Sequence, residues 1–140
     1  MINKIHFFNL QDSEDTTKSI CKIIKKYYKQ NLKIAVNTEK KDLLEIIDER
    51  LWTFEQTSFV PHCRYDEVDE NCNVVLFNGE VMKLSEFDVI LNLTNNYLDD
   101  TGDDKIYIEL VTSDEEQKQL ARKKYKHYQK MDIDISYENL

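Results

Sequence analysis

The chain has 140 residues, 41% apolar and 33% charged, with two glycines, one proline and a net charge of −8. That is the composition of one folded domain with a real core, and it argues against disordered linkers and glycine-built phosphate loops. The acidic balance opposes non-specific duplex DNA binding, which needs a basic surface to neutralise phosphates.

Residues 4–10, KIHFFNL, mix β-branched, aromatic and alternating residues and predict a first strand. The segment before and around it has too short an apolar run for a signal peptide and no small-residue cleavage site. No run approaches the roughly 20 apolar residues that span a bilayer, and a cytoplasmic location is expected.

Over 16–30 the residues Ile20, Cys21, Ile23, Ile24, Tyr27 and Tyr28 fill one arc of a helical wheel and Lys18, Lys22, Lys25, Lys26 and Lys29 the opposite one. With no arginine or aromatic among them, these lysines read as a solvated face. Residues 33–37 predict a buried strand, followed by Thr38 as N-cap of a helix running to about 52. Strand, helix, strand, helix is the α/β rhythm.

In that second helix Leu43, Leu44, Ile46, Ile47 and Leu51 form the core stripe, while Trp52, the only tryptophan, projects to the other side among Glu45, Asp48 and Glu49. Phe59, Val60 and Pro61 then form an apolar cluster on a connection. They fit two readings: a cover over the edge of the core, or, together with an outward Trp52, a protein-binding patch of the kind that uses exposed aromatic anchors.

Residues 63–73 are acidic and irregular. Cys21, Cys63 and Cys72 are an odd set without CxxC spacing, and they read as reduced thiols. Strands are predicted at 73–77, 88–93 and 105–111, with a turn at Asn78-Gly79 and a polar loop at 94–104. Ser113 followed by Glu116 makes a capping box, Ser113 at the N-cap, that opens a final helix.

That helix is a reversal of charge. Residues 117–130, QKQLARKKYKHYQK, carry six bases and no acid, so the rest of the chain stands at −14, the −8 of the whole less this +6. At about 100° per residue Lys118, Arg122 and Lys126 share a stripe, with Lys123 and Lys130 just beyond it and Tyr125 at its edge. Leu120, Ala121, Tyr128 and Met131 would face a core, with Gln117 and Lys124 as imperfect members. A ligand combining an anionic group with an apolar or aromatic one suits the junction at Tyr125, since arginine pairs carboxylates bidentately. A plain solvated face fits the residue types as well.

Nothing predicts catalysis. His6, His62 and His127 are scattered, and His62-Cys63 is a pair rather than a metal site. The acid pairs Asp99/Asp100 and Asp103/Asp104 lie in a polar loop, where carboxylates stay solvated. No GxxxxGK[ST], GxGxxG or GxSxG occurs. No metal and no cofactor are expected.

Two blocks carry a resemblance. LWTFEQTSFVPH at 51–62 and QKQLARKKYKHY at 117–128 closely resemble the chi subunit of bacterial DNA polymerase III holoenzyme, and the first strand and helix fall in the same order. The resemblance covers the whole chain, with its specificity in those blocks and a weaker match over 63–112. It implies a single Rossmann-like three-layer α/β domain over residues 1–140, with a mostly parallel sheet of about five strands flanked by helices. It also implies a non-catalytic, clamp-loader-associated subunit of the replicase that binds the acidic C-terminal tail of single-stranded-DNA-binding protein. The matching tail-binding positions are Lys118, Arg122, Tyr125 and Lys126. Trp52, Phe59, Val60 and Pro61 resemble the surface for a second partner, the psi subunit or an XPD-like helicase. Two rival readings rest on the residues alone: a nucleotide- or flavin-binding α/β enzyme, and direct single-stranded DNA binding with Tyr125 and Tyr128 as stacking platforms.

Overall fold

Apolar strands buried on both faces require helices on both faces, and that is the arrangement found. The structure, a computed structural model, describes residues 4–10, 15–53, 60–67, 72–80, 86–97, 105–131 and 133–139. Among these the order is β1 (Lys4–Asn9), α1 (Thr16–Tyr28), β2 (Ile34–Thr38), α2 (Lys41–Thr53), β3 (Cys63–Arg64), a 3-10 turn (Tyr65–Glu67), β4 (Val74–Asn78), β5 (Val89–Asn92), β6 (Ile106–Val111), α3 (Glu115–Gln129) and β7 (Asp134–Asn139). The described strands form one sheet in the order β3-β4-β2-β5-β6-β1-β7, every pairing parallel. The mostly parallel α/β expectation holds, with seven strands rather than five.

The two extra strands lie at the two edges. β3 has two residues, too short for periodicity to register. β7 did carry a signal, because Met131, Ile133, Ile135 and Tyr137 alternate with Asp132, Asp134, Ser136 and Glu138.

Side-chain alternation sorts the sheet into two cores. On one face Phe8, Ile34, Val36, Leu76 and Leu91 meet α1 and α2 through Ile20, Ile24, Ile47 and Leu51. On the other, Phe7, Ala35, Val75, Ile90 and Tyr107 meet α3 through Ala121 and Tyr128. Ile46, expected in the core stripe, is 45% exposed. It follows Glu45 on the outer side of α2, and the stripe is carried by Leu44, Ile47 and Leu51, spaced three and four apart.

Two caps differ from expectation. Thr38 does not cap α2: it is the last residue of β2, fully buried, and its hydroxyl donates to the Phe77 carbonyl at 2.7 Å. Asp114 rather than Ser113 caps α3, its carboxylate accepting from the Gln117 N–H at 3.3 Å. Ser and Asp both make good N-caps, so adjacent candidates leave the choice to backbone path. Asp15 caps α1 in the same way and also pairs with Arg50 of α2, tying the two helices together. The Lys18 N–H and the Arg50 guanidinium hold the Asp15 carboxyl below its usual range, against a smaller opposing effect of burial.

Candidate partner-binding sites

α3 is anchored from beneath by a buried charge. Glu109 of β6 is 1% exposed and receives three side-chain donors: Lys124 Nζ at 2.8 Å, Tyr128 Oη at 2.6 Å and Asn92 Nδ2 at 2.8 Å. Burial raises the Glu109 carboxyl, and the Lys124 ammonium with the other donors pulls it back down. Lys124 also donates to the Thr94 carbonyl at 2.6 Å. Its place among the inward residues of α3, an anomaly on the wheel, is explained: it is the counter-charge of Glu109. The 94–97 segment is held further by the Tyr97 ring stacked on His127, with centroids 3.6 Å apart.

With α3 pinned in this way, its outward edge forms the wall of an open hollow of about 480 Å³, lined by Phe7, Val111, Lys118, Ala121, Arg122, Tyr125 and Tyr137. Lys118, Arg122 and Tyr125 come together there. Lys126 is exposed one turn further along and lies outside the lining. Lys118 is also 3.4 Å from Glu115, a pairing within the helix.

The floor was not foreseen. Phe7 is 1% exposed, and its ring lies 5.5 Å from that of Tyr125. In the β1–β7 register Phe7 stands opposite Tyr137, so the two rings share a face of the sheet, and Tyr137 is 52% exposed. The result is an aromatic floor with a tyrosine on either side and two cations on one rim. It can accept a flat apolar group beside an anion. Tyr137 could have been found only through β7 and its register, and the clue was the alternation at the C-terminus.

The second cluster is partly dispersed. Trp52 is 56% exposed near the end of α2, with its ring edge-to-face on His62 at 5.3 Å. Val60 is 1% exposed, belongs to the α1–α2 core, and donates from its N–H to the Leu51 carbonyl at 3.3 Å. Pro61 is half-buried. Phe59 lies outside the described residues. For Val60 the core-cover reading is the one the structure shows, and Trp52 remains on the surface.

The acids around Trp52 are not all free surface. Asp48 accepts from Arg64 Nη2 at 2.8 Å and Nε at 3.1 Å, and its other oxygen lies 2.6 Å from His62 Nε2. His62 Nδ1 faces the Val60 carbonyl at 2.7 Å, and the side chain is 1% exposed. His62 thus ties the 60–64 segment to α2. Hydrogen bonding to Asp48 raises the Arg64 guanidinium above its ordinary value.

The cysteines correct another expectation. Cys63 and Cys72 are joined by a disulfide, and Cys21 is free and buried. Eight intervening residues in an irregular stretch gave no spacing to read, and only the approach of β3 to the start of β4 brings the pair together. Among the described residues no group of three or more His, Cys, Asp or Glu could hold a metal ion, and no helix is long and apolar enough to cross a membrane. The acid pairs at 99–100 and 103–104 lie outside the described residues.

Residues 2–136 match the family described as DNA polymerase III chi subunit, HolC. The chain belongs to this family. Chi subunits are accessory rather than catalytic components, so the chain takes its place in DNA replication as part of the polymerase III complex. The match takes in β3, all three described helices and the first half of β7, well beyond the two blocks that carried the resemblance. No curated protein matches the chain.

Proposed function

We propose that this chi subunit binds the acidic C-terminal tail of single-stranded-DNA-binding protein and links it to the replicase through the clamp loader in the cytoplasm, as one domain over residues 1–140. The observation that carries the reading is the hollow on α3, where Lys118 and Arg122 stand beside Tyr125, Phe7 and Tyr137. The tail's terminal carboxylate meets Arg122 and Lys118, its aromatic side chain lies on Phe7 between the two tyrosines, and Lys126 and Lys130 attract upstream acids. The second surface, proposed over Trp52, Phe59, Val60 and Pro61 with Trp52 as its exposed anchor, takes the psi subunit or an XPD-like helicase.

A charge-assisted hydrogen bond contributes about 1.5–3 kcal/mol, and burial of part of an aromatic ring a similar amount. After association costs, micromolar affinity is expected. In a calorimetric titration with a tail peptide, Arg122→Ala weakens binding by about 10- to 150-fold, the same 1.5–3 kcal/mol expressed as a ratio. Unchanged affinity removes the site assignment. If an oligonucleotide alone binds as well as the peptide, direct DNA recognition replaces tail recognition.

A further inference from the structure

β3 has a very short backbone ladder. It is two residues long, stands at the edge of the sheet and, among the described residues, pairs with β4 alone, through Cys63↔Val75 and Arg64↔Leu76. So short a ladder supplies few backbone hydrogen bonds, and the attachment of β3 rests largely on side chains, such as Arg64 on Asp48. The Cys63–Cys72 bond, spanning nine positions, supplies the covalent link between β3 and the approach to β4. Both cysteines are partly buried, packed against the α3-side core at the edge of the sheet rather than enclosed in it.

The residues on either side of Cys63 reach back to α2. His62 and Arg64 both engage Asp48, and Asp48 lies one helical turn before Trp52, whose ring packs on His62. The bond therefore sits within the set of contacts that shape the surface around Trp52. In a reducing compartment a protein disulfide is transient and redox-sensing rather than a permanent staple.

We infer that Cys63 and Cys72 form a reversible thiol–disulfide site, exchanging with dithiols and with low-molecular-weight disulfides, whose state sets how firmly the 62–64 segment supports the Trp52 face. In the reducing direction a dithiol's thiolate attacks one of the two sulfurs, forming a mixed disulfide and releasing the other cysteine as a thiolate that takes up a proton. The dithiol's second thiol, losing its proton, then displaces the first cysteine, which is protonated in turn. The reductant leaves as a cyclic disulfide, and the protein has gained two electrons and two protons. In the oxidising direction a small disulfide is cleaved to two thiols as the protein bond forms. The inference goes beyond the proposed function and stands whichever partner, if any, uses Trp52.

The test uses the full chain, treated either with dithiothreitol or with oxidised glutathione, then alkylated with iodoacetamide and weighed intact. Cys21 is buried and its thiol is pushed up to about 12 by that burial, so it alkylates only after denaturation. The oxidised protein is expected to take no adduct when folded and one when denatured; the reduced protein takes two when folded and three when denatured. Emission from Trp52, the sole tryptophan, is expected to change between the two states, and Cys63→Ser/Cys72→Ser should abolish the change. Three adducts on the denatured protein after oxidised glutathione, or a folded protein that takes none after dithiothreitol, would overturn the exchange. Identical wild-type emission in both states would overturn the link to Trp52, without reference to the double variant.

Discussion

At the scale of single residues the decisive group is Glu109. A buried carboxylate with one ammonium partner gives a pair that need not stabilise the fold relative to apolar residues of like volume. Removing one partner is a different matter, because the other charge is left desolvated and unpaired. Glu109→Ala is therefore expected to destabilise by about 3–5 kcal/mol, read from the denaturant midpoint, while Glu109→Leu with Lys124→Met recovers most of the loss. A double variant no more stable than the single one would mean that the Tyr128 and Asn92 bonds, not the ion pair, hold α3. His6 offers a pH test. Burial, with smaller contributions from Lys26 and Lys4, lowers its pKa against the opposing pull of Glu138, and its Nδ1 lies 2.6 Å from the Ser136 hydroxyl. The folded state thus binds the proton less readily than the unfolded one. The stability contributed is complete above the unfolded value near 6.5 and is lost as pH falls through the lowered folded value. His6→Gln should flatten the stability profile below about pH 6.5; an unchanged slope would rule His6 out as its source.

At the scale of elements, α3 joins the two halves of the proposed site. Its inner residues lock onto β6, its outer residues face the hollow, and β7 returns beside β1 to bring Tyr137 to the opposite wall. The start of the helix is open to experiment, since Ser113 and Asp114 are adjacent and only Asp114 accepts the Gln117 N–H. Asp114→Ala is expected to cost about 0.5–2 kcal/mol, whereas Ser113→Ala stays within about 0.5 kcal/mol. Equal losses in thermal unfolding would return the cap to Ser113. α2 shows why a wheel alone misjudges burial. Ile46 is apolar and falls beside the core stripe, but among the described residues no element covers that side of the helix, and it stays 45% exposed.

At the scale of the whole molecule, charge is segregated: residues 117–130 carry +6, one of these bases, Lys124, being paired with buried Glu109, and the rest of the chain stands at −14. An acidic peptide is drawn to α3, while an extended polyanion crossing the surface meets net negative charge beyond it, the lysine face of α1 excepted. Tail-peptide affinity should fall steadily as salt rises from low to physiological concentration, because exposed charges beyond about 8 Å are screened there. Salt-independent affinity would leave the aromatic floor as the only source of binding.

The amino-acid sequence by itself determined the α/β alternation, the amphipathic faces of α1 and α3, the basic stripe with Tyr125 at its edge and the outward Trp52. Each depends on residues within a turn or two of one another, where periodicity of 3.6 or 2 is set by local geometry. The tertiary structure alone decided what distance along the chain conceals. It gave Lys124 its partner in Glu109, brought Phe7 and Tyr137 from opposite ends of the chain to the hollow, sent Val60 into the core, and closed Cys63 onto Cys72. These outcomes follow from which strands pair and in what register, and register is settled by the packing of both faces at once.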